Sequence, residues 1–256
     1  MFLKIGAVNN FKNDLCDEIR LISSDGFDFV DLTMEPIFSH EIDLDEVKKT
    51  IDETGLEVIG HTSPFLPIIF PLKAVRQAGM QEMRMYVDYF HHLGVKYMNV
   101  HPSLNSSLMS EKDVFEGNRE FISGINEYCV SKGITLMVES VTSPFNTPES
   151  FEKLLKGLDD IKVHLDVGHC NINTDRNLVE EFFSVFGERI VHVHFSDNMG
   201  DKDNHLPLGC GSIDWYEVVD ILKKYDYKRT ITLEVFTQDR RYLLESKSFI
   251  EEIINK

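Results

Sequence analysis

Short apolar or β-branched runs alternate with longer amphipathic stretches from one end of this chain to the other, and that alternation restricts the fold more than any other feature. Eight runs read as strands: Phe2 to Val8, Phe27 to Leu32, Leu56 to His61, Lys96 to His101, Ile134 to Glu139, Ile161 to Asp166, Arg189 to His194 and Thr230 to Val235. Helical patterns follow them, among them Pro71 to Leu93, Glu111 to Lys132, Pro148 to Leu158, Leu178 to Phe186, Trp215 to Tyr225 and Arg240 to Ile254. Gly26, Gly55, Gly94 and Gly133 each stand after a helical stretch and before a strand, where a left-handed residue stops a helix.

Eight βα units within 256 residues predict one α/β domain over residues 1–256, a closed (β/α)8 TIM barrel in preference to an open doubly wound sheet. Apolar stretches such as Phe65 to Leu72 are short and broken by prolines, so no membrane span is expected. The N-terminus leads directly into a strand-like run, and the expected location is the cytoplasm. Cys16, Cys129, Cys170 and Cys210 are far apart with no CxxC pair, which reads as reduced thiols. Acidic residues number 43 against 26 basic ones, for a net charge of -17 with no Lys/Arg run. Such a balance disfavours a nucleic-acid partner, because phosphate neutralisation needs clustered positive charge.

In a parallel barrel the strands deliver their chemistry at their C-terminal ends. Six consecutive predicted strands finish there on residues of metal-ligand type: His61, His101, Glu139, Asp166, His194 and Glu234. The two-residue period turns all six inward, while Gly60, Val100, Val138, Leu165, Val193 and Leu233 face the helices. His169 follows Asp166 by three residues, and Asp203 and His205 stand two apart in the loop after strand 7, spacings that suit shared ions. Five imidazoles and four carboxylates are more donors than one ion accepts, so two or three divalent ions are expected. Their mixed N/O character points to Zn, Mn, Fe or Co.

Other polar residues carry less. His164 and His192 point inward one layer lower, where a supporting role and plain interior packing stand equal. Glu35, after strand 2, reads as a substrate contact or a cap. Arg240 and Arg241 open the last helix, as a phosphate contact or a solvated helix start. His40, His91 and His92 lie in loop or helix and read as ordinary polar residues.

The segments Asn99-Val-His-Pro102, Glu139, Leu165-Asp-Val-Gly-His169, His192-Val-His-Phe-Ser-Asp197, Asp203-Asn-His-Leu-Pro-Leu-Gly-Cys-Gly211 and Leu233-Glu-Val-Phe236 carry a family likeness. Through them the chain resembles the superfamily of xylose-isomerase-like barrels, which joins sugar isomerases and epimerases with endonuclease IV. The epimerase likeness implies one ion held by Glu139, Asp166, His194 and Glu234, with the two glutamates as catalytic proton-transfer groups. The endonuclease IV likeness implies further ligands at His61, His101, His169, Asp203 and His205.

Two positions depart from the patterns. Gly200 stands where the ketose 3-epimerases place a substrate-binding Arg, and Pro102-Ser103 replaces the Pro-Gly of endonuclease IV. Acidic charge and the scarcity of basic loops favour a metal-dependent isomerase or epimerase of a small sugar or sugar phosphate, acting through an enediolate. The alternatives are an endonuclease IV-like phosphoesterase with several ions and a non-catalytic metal-binding barrel.

Overall fold

The computed structural model describes residues 3–35, 42–103 and 108–256; His40 and Phe2, the first residue of the predicted strand 1, lie outside them. The strands are β1 (Lys4–Val8), β2 (Phe29–Thr33), β3 (Glu57–His61), β4 (Tyr97–Val100), β5 (Thr135–Glu139), β6 (Lys162–Asp166), β7 (Ile190–Phe195) and β8 (Thr230–Leu233). They pair in parallel in chain order, and β8 closes onto β1 to complete the predicted barrel.

Helices α1 (Leu15–Ser24), α2 (Leu44–Thr54), α3 (Lys73–Leu93), α4 (Glu111–Ser131), α5 (Pro148–Leu154), α6 (Val179–Phe186), α7 (Trp215–Lys224) and α8 (Arg241–Ile254) surround it. Their starts are set by local chemistry: Asp14, Asp43 and Asp214 accept from first-turn N–H groups, and Ser110 and Asp113 cap each other reciprocally. Gly55 and Gly94 end α2 and α3 at φ of 70° and 82°, a left-handed backbone in which a side chain is strained. No helix among the described residues is long and apolar enough to cross a membrane.

The main core lies between sheet and helices, as the inward and outward phases require. Gly60 faces outward, where an added Cβ would come within 2.7 Å of the Phe90 ring on α3. Inside the barrel, Phe29, Ile59, Met137 and Val191 form a separate apolar plug. Val191 is the extra residue where pairing between β6 and β7 shifts from Val163↔Ile190 to His164↔His192. That bulge sets His192 and His194 level with His164 and Asp166, and the polar layers rest on the plug.

Several strand limits differ from the sequence reading, and one difference matters. β2 runs Phe29–Thr33 rather than Phe27 to Leu32; just before it, Asp28 donates its N–H to the Ile5 carbonyl and its side chain, not its carbonyl, accepts the Ile5 N–H, both at 2.8 Å. Phe29, Asp31 and Thr33 therefore face the interior. β4 and β8 stop one residue before His101 and Glu234, and β7 continues one past His194. α5 ends at Leu154 instead of Leu158.

Candidate metal centre

Glu139 ends β5, 2% exposed, under a dense set of donors. Its Oε2 accepts from Asn99 Nδ2 at 2.7 Å and lies 2.9 Å from His101 Nε2 and 3.2 Å from His164 Nδ1. Asn99 is fixed in turn because its Oδ1 accepts the Thr62 N–H at 2.8 Å, lacing β4 to β3 where the ladder is sparse. Burial alone would raise the Glu139 carboxyl, but His101 and His164 outweigh it and hold the group well below the usual carboxylate range.

Asp166 ends β6, and its Oδ1 accepts the backbone N–H of His169 at 2.6 Å. The tight Asp166-Val-Gly-His169 turn depends on Gly168, where a Cβ would meet Ser196 Oγ at 2.5 Å and Asp166 Oδ1 at 3.0 Å. Asp166 Oδ2 is buried with no hydrogen-bond partner, 3.9 Å from His194 Nδ1. Burial first, then the neighbouring Glu234 and Glu139, push the Asp166 carboxyl up to about 6.

His194 on β7 presents Nδ1 to Glu234 Oε2 at 3.0 Å and Nε2 to Asp31 Oδ2 at 2.7 Å. Burial would lower its pKa, yet Glu234 and Asp31 raise it well above the ordinary value. Against burial, His205 and His194 bring Glu234 down to about 2. His61 stacks on His194 with centroids 5.3 Å apart and stands 5.1 Å from the His101 ring.

A neighbouring group forms around Asp203. Its Oδ2 lies 3.1 Å from His169 Nε2 and 3.1 Å from His205 Nε2. Each imidazole is aimed by a carbonyl on its other nitrogen: Ser140 O at 2.8 Å from His169 Nδ1, and Glu234 O at 3.3 Å from His205 Nδ1. His205 holds a left-handed backbone at φ 45°, unusual for a residue with a side chain and a frequent companion of functional sites. The loop carrying this pair is tied down by Asp197, a fully buried carboxylate that accepts from Trp215 Nε1 and Gly209 N, both at 2.9 Å. Asp197 thus positions the loop and supplies no donor to the cluster.

The nine residues read as ligands from the sequence are drawn together at the C-terminal end of the barrel. Among the described residues, trios with donor atoms within 4.8 Å of one another are His61–His101–Glu139, Glu139–Asp166–His169 and Asp166–His194–Glu234, with Asp31–His61–His194 and His164–His192–His194 in the layer beneath. Such spacing suits ions whose bonds are about 2 Å long, and the buried Asp166 Oδ2 and His101 Nδ1 have no hydrogen-bond partner to hold them from an ion. The residues therefore fit a divalent cation of the nitrogen- and oxygen-preferring kind.

Glu35 lines the cavity above and accepts from Ser63 Oγ at 2.7 Å. Arg240 and Arg241 are not brought there. Arg240 binds Asp25 at 2.5 Å and lies 3.6 Å from Glu18 on α1, and exposed Arg241 pairs with Asp239. The residue that sequence reasoning missed is Asp31, 1% exposed and bonded to His194, His192 and Thr232.

A model of the xylose isomerase-like TIM barrel matches residues 19–253. The chain belongs to that family. Within it, an uncharacterized protein of Methanocaldococcus jannaschii is 28% identical over 70% of this chain and 64% of its own length. The chain spans 58 to 64% of the length of this and two further uncharacterized relatives. An inosose dehydratase of Histophilus somni is 22% identical over 82% of both chains. A probable endonuclease 4 of Haloarcula marismortui is 27% identical over 69% of this chain and 73% of its own. Among solved family folds, a D-tagatose 3-epimerase-like protein superposes with a TM-score of 0.88 over 99% of this chain and 97% of that one, at 24% identity.

Proposed function

We propose that this protein is a divalent-metal-dependent isomerase or epimerase that moves a proton beside the carbonyl of a small sugar. The observation that carries this reading is the order of groups around the barrel. Glu139, Asp166, His194 and Glu234 come from four consecutive strands, so the two glutamates flank the Asp166–His194 pair. Both glutamates line one cavity of about 500 Å³.

The wall of that cavity selects among sugars. Its described lining holds Phe11, Phe65 and Phe236 but no Lys or Arg. An uncharged ketose with one apolar face suits it better than a sugar phosphate, whose dianion seeks fixed positive charge.

A cation held by Glu139, Asp166, His194 and Glu234 would supply Lewis acidity to the substrate carbonyl. The protein's own groups do the rest. Glu139, kept ionised by its donors, takes the carbon-bound proton from one face. Glu234 works from the other face, and His205, held up at about 9 and 3.5 Å from Glu234 Oε2, is the proton reserve on that side. A relative named inosose dehydratase is in keeping with chemistry on a small polyol or sugar.

The test is a panel of ketoses and ketose phosphates incubated in deuterated water and followed by NMR. Deuterium enters carbon with wild type and is suppressed about 10²-fold or more in Glu139→Gln and Glu234→Gln. No incorporation across the panel, together with hydrolysis of a phosphodiester, would replace this reading with the second one. That second reading is a phosphoesterase with several ions. It is favoured by the extra donor set around Asp203 and by the endonuclease 4 relative, and opposed by the net charge of -17.

A further inference from the structure

Asp31 reaches across the barrel from β2, and nothing in its own neighbourhood explains a carboxylate there unless the imidazoles opposite need it. It is 1% exposed, and burying an ionised carboxylate without partners costs several kcal/mol. Every hydrogen-bonding partner it has is a side chain of the polar layers. Oδ2 accepts from His194 Nε2 at 2.7 Å, Thr232 Oγ1 at 2.9 Å and His192 Nε2 at 3.2 Å. Oδ1 faces His61 Nδ1 at 3.6 Å, an atom with no hydrogen-bond partner.

The consequence lies in the opposite edges of the two rings. With Nε2 of His194 committed to Asp31, only Nδ1 is left for the Asp166–Glu234 side, where it stands 3.0 Å from Glu234. With Nδ1 of His61 facing Asp31, the other ring nitrogen is left for the trio with His101 and Glu139. His61 joins Glu139 in one trio and His194 joins Glu234 in another, and the two meet in a third through Asp31, whose two oxygens back both rings.

We infer that Asp31 is a positioning residue that orients one imidazole in each of two adjacent ion sites and thereby couples them. A carboxylate behind a metal-binding imidazole fixes its ring and tautomer and strengthens it as a donor, and losing one weakens binding about 10–100-fold. Here a single loss strikes two sites. This rests on the metal-dependent reading of the centre.

Zinc affinity, measured by competition with a chromophoric chelator, and melting of the metal-free protein separate the outcomes. Thr232→Val serves as control, since the Thr232 hydroxyl bonds Asp31 and His192 but neither His61 nor His194. Wild type should bind at least two zinc ions per chain. Asp31→Asn should weaken both about 10–100-fold with little change in metal-free melting, while Thr232→Val leaves both affinities intact. If Asp31→Asn does not fold, Asp31→Ser, which removes the charge without adding an N–H donor, carries the same readouts. Undiminished affinities in the Asp31 variant overturn the inference, as does a loss confined to one ion or an equal loss in Thr232→Val. Wild type that binds no zinc overturns the metal-dependent reading itself, a result that no Asp31 variant is needed to see.

Discussion

The Nδ1 atom of His194 lies 3.0 Å from Oε2 of Glu234, a contact that a protonated imidazole makes as donor and a coordinating imidazole cannot. Glu234 and Asp31 overcome the effect of burial and keep His194 protonated well past its usual range. A cation binding through Nδ1 must therefore displace a proton, and uptake should strengthen as pH rises. Calorimetric titration of zinc in buffers of different ionisation enthalpy should show about one proton or more released with the first ion at neutral pH. Uptake with no proton released would mean that His194 is not a ligand.

The same electrostatics set the pH dependence of the metal-free fold. His205 is lifted from 6.5 to about 9: burial opposes protonation, but Glu234 and Asp203 outweigh it. Its stabilising contribution is therefore fully present below 6.5 and lost as pH rises through about 9. Asp166, raised from 3.8 to about 6 by burial first, has the same sign over a lower window. Glu234 and Asp203 have depressed values and lose their contributions only in acid. Because burial lowers His164 and His192 and gives them the opposite sign below 6.5, melting of chelator-treated protein should fall between about pH 6.5 and 9, and zinc should reverse the fall. A profile flat or rising over that interval contradicts the assignment.

How much of this centre the sequence exposes depends on where each residue sits in its strand. His61, Glu139, Asp166 and their counterparts stand out because a polar ligand type at the end of a buried strand has few other uses, and period 2 fixes its direction. Asp31 escapes the same test. It lies inside Phe29-Val-Asp-Leu-Thr33, and starting that strand at Phe27 put its end on apolar Leu32. The partners that make Asp31 informative come from β3, β7 and β8, contacts that no local pattern carries. Arg240 shows the converse: its place at a helix start allowed an anion contact or plain solvation, whereas Glu18 of α1 and Asp25 just after it stand beside it. Asp197 belongs to a recognisable segment, yet its work is to hold a loop.

Replacing Asp197 tests that work. Its carboxylate serves Trp215 Nε1 and Gly209 N at 2.9 Å, with Asn198 N also at 2.9 Å and Ile213 N at 3.3 Å. Asp197→Ala leaves several buried donors without an acceptor and should cost on the order of 3 kcal/mol in urea unfolding. It should also weaken any ion held by Asp203 and His205, whose loop it anchors. Stability within about 0.5 kcal/mol of wild type would show that water or backbone replaces the carboxylate.

Asp203→Ala distinguishes the two chemical readings because it removes the acidic partner of His169 and His205 and leaves Glu139, Asp166, His194 and Glu234 in place. If the protein transfers a proton at carbon, the last four suffice, and deuterium exchange into a ketose should fall by about 10-fold at most, the low end of what losing a supporting residue costs. Glu139→Gln in the same assay should fall by about 10² or more, because it removes the base itself. If the protein cleaves phosphate esters instead, the ions must be clustered to present a hydroxide and stabilise the leaving oxygen, and Asp203→Ala should abolish turnover. The substrates to compare are the ketose panel and a duplex oligonucleotide carrying an abasic site at physiological salt. With a net charge of -17, association with the duplex should be weak and steeply salt-dependent. Tight duplex binding followed by strand cleavage that vanishes in Asp203→Ala would reject the isomerase; exchange that survives Asp203→Ala and is lost in Glu139→Gln would reject the phosphoesterase.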